Sequence, residues 1–262
     1  MEFETITLER RDGVAHLTLN RPEAQNALTL QMGQDLLAAA TSLADDPSVR
    51  AVLITGTGAR FCAGGDVKGF AEEGERAGHL IREITVPLHA AVSQLTRLDA
   101  PVVAAVHGSA AGAGMGLVLA ADLVVAGEST KFVMAYTAIG LSPDGSSSWY
   151  LPRVVGLHRA LELGLTNRAL SAAEALDWGI VNRVVPDDEV ASAGAALAGQ
   201  LAAGPTGAFG AVKRLMHGAF DRPLDAQLAR ESEEMARAGA SADGVEGVRA
   251  FVEKRPPEFG GR

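Results

Sequence analysis

Hydrophobic and polar positions alternate at the start of the chain. Ile6 and Leu8 fall on one face, Arg11-Asp12-Gly13 reads as a turn, and Val14, Leu17 and Leu19 continue in a second short strand, so the first twenty residues predict a hairpin. The period then changes. Met32, Leu36, Ala40 and Leu43 recur at helical spacing after Thr29, a residue type suited to capping, and Asp45-Asp46-Pro47 ends the helix. Short apolar runs at 51–55, 101–106 and 122–126 predict buried strands, with another near 180–185. Helical stretches separate them, which predicts an α/β protein whose parallel strands are covered on both faces. From about Val190 the pattern becomes alanine-rich and helical, including 228–236 and 245–253. Pro186-Asp187-Asp188 marks the boundary between a core of residues 1–190 and a helical region of 191–262, and with no Gly/Ser linker between them the two parts are expected to pack together.

Composition narrows the class. A chain of 262 residues, 47% of them hydrophobic, can bury a substantial core. The balance of 23 Lys+Arg against 32 Asp+Glu leaves a net charge of −9, so no overall positive field attracts phosphate backbones, and nucleic acid is not expected as a partner. Cys62 is the single cysteine, which excludes an intramolecular disulfide, and the opening MEFETITLER lacks the features of a signal peptide; a cytoplasmic location is expected. Residues 100–121 carry no formal charge over a length that could span a bilayer. They are mostly alanine and glycine, begin Ala-Pro, and are interrupted by His107-Gly108-Ser109, which fits a buried strand, turn and helix better than a membrane span.

Several chemistries lack their residues. The six histidines are scattered without metal-ligand spacing and one cysteine cannot complete a thiolate site. Gly112-Ala113-Gly114 is followed by Leu117 rather than the third glycine of a dinucleotide fingerprint, no Gly-Lys-Ser/Thr ends a phosphate loop, and no G-x-S-x-G elbow occurs. No metal or separate cofactor is expected.

Two glycine-rich segments, 56–66 and 107–116, each follow a predicted buried strand. Where such a turn opens a helix, main-chain N–H groups without intrahelical acceptors face outward and suit a developing oxyanion. Equally, small residues there allow strand and helix to pack closely. Ser142-Pro143-Asp144-Gly145 suits a type I turn, and Asp144 is equally a candidate helix cap.

Taken together, Phe61-Cys-Ala-Gly-Gly-Asp66, Val106-His-Gly-Ser-Ala-Ala-Gly-Ala-Gly114, Ala121-Asp122, Gly140-Leu-Ser-Pro-Asp144, Leu151-Pro-Arg153 and Ala250-Phe-Val-Glu-Lys-Arg255 resemble the enoyl-CoA hydratase/isomerase (crotonase) superfamily. Asn20-Arg21-Pro22-Glu23, Asn26-Ala27 and Leu176-Asp-Trp-Gly-Ile-Val-Asn182 extend the resemblance over nearly the whole chain. It implies a spiral of ββα units followed by helices that build a homotrimer or a dimer of trimers. It also implies an acyl-CoA thioester as partner, with coenzyme A belonging to the substrate and the thioester carbonyl held by the amides of Gly65 and Ala113. Arg21, Lys68 and Lys254 fall where relatives contact CoA, although each is also an ordinary solvated charge; Ala63, Asp66, Tyr136 and Trp149 are placed near the bound substrate. The walls of the acyl pocket are expected from Tyr136, Ile139, Trp149 and the mobile-looking stretch 72–78.

Departures from the hydratase pattern favour a subclass. The two hydratase glutamates correspond to Gly116 and Tyr136, neither of which transfers a proton as a carboxylate does. Asp144 stands where isomerases of the superfamily, including the epoxyphenylacetyl-CoA and Δ3,Δ2-enoyl-CoA types, have one acid/base, and the resemblance therefore implies double-bond migration with Asp144 as that group. An alternative resemblance is to 4-chlorobenzoyl-CoA dehalogenase, with Asp144 as nucleophile and His89 in the place of the histidine that activates water; Tyr136 replaces that enzyme's tryptophan. Hydration in the broad family sense and a non-catalytic acyl-CoA binder remain further alternatives.

Overall fold

The computed structural model describes residues 2–261. Strands β1 (Ile6–Arg11) and β2 (Val14–Leu19) form the expected hairpin, with Asp12 and Gly13 at φ of 52° and 76°. Two consecutive positive φ values are what a two-residue turn needs to match the twist of its strands. Helix α1 (Leu30–Ala44) follows, and the Thr29 hydroxyl accepts the Met32 N–H at 3.2 Å. Next come β3 (Ala51–Gly56), α2 (Val67–Glu73), α3 (Ala77–Arg97) and β4 (Val102–Val106). The chain continues through β5 (Ser109–Ala111), α4 (Ala113–Ala120), β6 (Leu123–Gly127), β7 (Lys131–Val133), α5 (Ser147–Val155) and α6 (Leu157–Thr166). After β8 (Leu170–Ser171), α7 (Ala172–Asp177) and β9 (Arg183–Val185), only helices remain: α8 (Val190–Ala202), α9 (Thr206–Gly218), α10 (Leu224–Ala240) and α11 (Ala242–Glu253), besides short 3-10 turns.

The larger sheet has the order β1-β2-β3-β4-β6-β9, antiparallel only between β1 and β2. Strand pleating sends alternate residues to opposite faces. Val52 and Ile54 of β3, with Val102, Ala104 and Val106 of β4, join the main core with Leu36 of α1 and Leu88 of α3. Leu53, Val103 and Ala105 point the other way, where Val190, Ala198 and Ala202 of α8 cover them. This is the two-sided burial that the continuous apolar runs predict. The smaller sheet, β5-β7-β8, stands beside the larger one and has strands of two or three residues.

Helices α9 and α10 are joined through Glu234, 2% exposed, which meets the guanidinium groups of Arg214, Arg230 and Arg237 within 3.1 Å. A hydrogen bond from Arg214, together with the three positive charges, holds the Glu234 carboxyl below its ordinary range. Among the described residues no helix is long and apolar enough to cross a membrane, and residues 100–121 are strand, turn and helix.

Leu53 is buried between the sheet and α8. Replacing Leu53 with Ala is expected to lower unfolding stability by about 2–5 kcal/mol, read as a lower urea midpoint with unchanged slope.

Candidate active site

Strands β3 and β4 are parallel neighbours, so the glycine-rich segments that leave them emerge at the same edge of the sheet. The segments are stitched together by main-chain hydrogen bonds: Phe61 N–H to His107 O at 3.1 Å, Cys62 N–H to Ser109 O at 3.2 Å, and Ala111 N–H to Cys62 O at 3.0 Å. Beneath the first turn lies Asn26, fully buried and at φ 56°. Its side-chain amide reaches the carbonyl oxygens of Thr57 and Arg60 at 2.9 Å each and of Phe61 at 3.1 Å, while its oxygen accepts the Arg21 N–H at 2.8 Å. Sequence reasoning gave Asn26 no role. Its one local signal is residue type, since asparagine tolerates a left-handed backbone and carries both a donor and an acceptor.

The first turn of α4 rests directly on Cys62: a Cβ at Gly114 would lie 2.6 Å from the Cys62 Cβ. Burial pushes the Cys62 thiol up to about 12, so it is a neutral packing group here rather than a nucleophile.

This scaffold presents two unused amides. Leu28 donates to Gly64 O at 2.7 Å and accepts from Asp66 N–H at 3.0 Å, which pins the backbone on both sides of Gly65. Ala113 is the first residue of α4, where an N–H has no intrahelical acceptor. Among the described residues neither the Gly65 nor the Ala113 N–H has a hydrogen-bond acceptor. Both line a cavity of about 490 Å³, whose walls include Leu28, Phe70, Ile81, Ile84, Leu88 and Ile139. Two unpaired main-chain donors lining one largely apolar cavity suit a carbonyl that gains negative charge.

Asp144 is the one carboxylate among the described residues lining that cavity. The Tyr136 hydroxyl donates to its Oδ1 at 2.7 Å. Burial first, and then the Asp144 charge, raise the Tyr136 phenol above the ordinary tyrosine range, so it stays a protonated donor. The side chain of Asp144 does not cap α5. Instead, the Ser147 hydroxyl and N–H both donate to the Asp144 main-chain oxygen, at 2.7 and 3.0 Å, which leaves the carboxylate facing Tyr136 and the cavity. The adjoining Gly145 N–H donates to His89 Nε2 at 3.1 Å.

Gly116 decides what else fits. A Cβ built there would collide with the Gly145 carbonyl oxygen. The turn carrying Asp144 therefore occupies the space that any side chain at 116 would need.

The other sequence-predicted residues divide. Ala63 lines the acyl cavity with Gly65, Ala113, Tyr136 and Asp144. Arg21 donates to Ala27 O at 2.6 Å and lies 3.7 Å from Asp66, whose carboxylate also caps α2 through the Gly69 N–H. Both thus have structural partners outside the cavity lining. Lys68, on α2, and Lys254, at the end of α11, are exposed and lie outside that lining too. Two expectations need correction. Trp149 and His89 face a second cavity of about 630 Å³ on the other side of the Asp144 turn, because α5 begins at Ser147 and directs Trp149 toward Tyr150 and His217 of α9. The stretch 72–78 contributes no wall either; it is the end of α2, a 3-10 turn and the start of α3, and Phe70 with one face of α3 lines the cavity instead. Among the described residues no three His, Cys, Asp or Glu side chains converge as a metal site.

Comparison with known proteins identifies the family. Residues 9–262 match the family described as Enoyl-CoA hydratase/isomerase. The chain is 44% identical to a probable enoyl-CoA hydratase of Rhodobacter capsulatus and 40% identical to the 1,2-epoxyphenylacetyl-CoA isomerase of Escherichia coli, in both cases over the full length of both proteins. It is 42% identical to 4-chlorobenzoyl coenzyme A dehalogenase-2 of an Arthrobacter species, over 82% of this chain and 79% of that protein. The crystal structure of an enoyl-CoA hydratase from a Polaromonas species superposes with a TM-score of 0.92 at 36% identity, covering 97% of this chain and 99% of the other.

Gly116→Ala is expected to force the Gly145 carbonyl aside, with a stability loss of about 1–3 kcal/mol in urea unfolding and displacement of residues 144–146 in a crystal structure of the variant.

Proposed function

The chain belongs to the enoyl-CoA hydratase/isomerase family, and within it we propose that the protein is an enoyl-CoA isomerase using Asp144 as its single acid/base. Membership makes it an acyl-CoA enzyme with the α/β crotonase fold and a helical C-terminal region. The observation that supports isomerisation is the arrangement at residues 116, 136 and 144. One carboxylate faces the cavity, a tyrosine holds it, and the Gly145 carbonyl fills the place of a second acid. Activation of an attacking water in the hydratase manner has no second carboxylate to rely on.

In this mechanism the thioester oxygen lies between the Gly65 and Ala113 N–H groups. The Asp144 carboxylate removes a proton from C2, the C–H electrons delocalise into the thioester oxygen as a dienolate, and the same carboxyl returns the proton at C4. The double bond thereby moves from C3–C4 to C2–C3 with no net change in protons. Each main-chain donor of this kind contributes about 3–4 kcal/mol to lowering the barrier. No separate cofactor takes part, since coenzyme A belongs to the substrate. Lys68, Arg21 and Lys254 are assigned to the CoA portion, outside the acyl cavity. The exposed apolar row Leu157, Leu161 and Leu165 on α6 supports assembly into a homotrimer or a pair of trimers.

The dehalogenase-like reading has less support from this geometry. His89 Nε2, the atom that would take a proton from water, is engaged by the Gly145 N–H.

The test is conversion of 3-enoyl-CoA to conjugated 2-enoyl-CoA. Asp144→Asn is expected to abolish it with CoA-ligand affinity retained. Ala113→Pro, at a first helical position that accepts proline, deletes one donor and is expected to cost roughly 10²–10³-fold in kcat with little change in Tm. Full activity of Asp144→Asn, hydration of 2-enoyl-CoA outpacing isomerisation, or chloride release from 4-chlorobenzoyl-CoA without isomerisation would each reject the assignment.

A further inference from the structure

We propose that His89 is a positioning residue: its neutral imidazole anchors the turn carrying Asp144 by accepting the Gly145 N–H, and it moves no proton of the substrate. The inference rests on the assignment of Asp144 as acid/base. An amide N–H only donates, so the contact at 3.1 Å requires His89 Nε2 to be without a proton, with the ring proton on Nδ1. His89 is also absent from the lining of the acyl cavity and faces the separate cavity shared with Ser146 and Trp149. It reaches the chemistry only through the main chain.

The turn needs an external anchor. Gly145 and Ser146 follow one another at φ of 57° and 74°, and a left-handed conformation is unfavourable for serine. The Ser146 hydroxyl is buried without a partner and gives the turn no support. Gly145 is itself buried, and its N–H has the His89 imidazole as its acceptor. The same residue packs against the oxyanion side of the site: its Cα faces Ala113, and a Cβ built there would lie 3.4 Å from the Ala113 Cβ. Tyr136 holds the carboxylate and His89 holds the following amide, so Asp144 is gripped from both directions.

The experiment compares His89→Gln, whose side-chain oxygen can accept where Nε2 does, with His89→Leu, which fills similar space without an acceptor. Displacement of a catalytic group by an ångström costs on the order of 10²-fold, so His89→Leu is expected to lose roughly 10- to 100-fold in isomerisation kcat with KM little changed. His89→Gln is expected to keep a rate close to that of the unsubstituted protein. Hydrogen exchange at the Gly145 amide supplies a readout independent of turnover: protection is expected to fall in His89→Leu and to be retained in His89→Gln. Should His89→Leu fail to fold, His89→Asn, whose shorter side chain does not reach the amide, takes its place. Equal loss of kcat in the Gln and Leu variants would make the imidazole a proton-transfer group and overturn the proposal, as would an unprotected Gly145 amide in the unsubstituted protein. If Asp144→Asn remained active while Gly145 protection still followed the acceptor at 89, the acid/base assignment would fail and the anchor would stand.

Discussion

Three main-chain hydrogen bonds between residues 61–62 and 107–111 fix the separation of the segments that carry Gly65 and Ala113. Everything chemical in the site is referred to that stitching. The donors are parts of the backbone, so their placement depends on strand register rather than on rotamers of long side chains. The parallel pairing of β3 with β4 supplies the register, Asn26 ties the first turn from below, and Cys62 gives α4 a surface to rest on. Such an arrangement loses little free energy to reorganisation when charge develops on a bound carbonyl.

Around this frame the Asp144 turn is held by side chains, and the two kinds of support differ in consequence. Substitution of almost any residue at 113 leaves an amide in place. By contrast, Asp144 is contacted by a tyrosine, the following amide by a histidine, and the Gly145 carbonyl lies where a side chain at 116 would need to be. The family frame is thus compatible with several reactions, and the proposed choice among them rests on the turn at 144–146.

Much of the fold was legible because long periodic segments report their surroundings. Apart from Thr55, the runs at 51–55 and 101–106 are apolar and prove to be covered on both sides, and Thr29 followed by apolar residues at helical spacing marks α1 correctly. Strands β5, β7 and β8 were not legible, since two or three residues do not establish a period. At the site, Gly65, Ala113, Tyr136 and Asp144 were singled out through motif resemblance, and all four line one cavity. Trp149 was misplaced because proximity in sequence to Asp144 says nothing about which side of a sharp turn a side chain leaves. The actual wall had a signal that went unused: Ile81, Ile84, Thr85 and Leu88 fall at helical spacing and form one face of α3.

Tyr136 engages one carboxylate oxygen of Asp144, a residue that lines the cavity. For a 1,3-shift this is a stereochemical constraint. If the proposed reaction runs as drawn, departure and delivery of hydrogen both pass through one carboxyl group on one side of a planar dienolate, so the transfer would be suprafacial. A deuteron abstracted from the α-carbon is then carried to the γ-carbon of the same molecule in proportion to how well the closed site keeps it from exchanging with solvent.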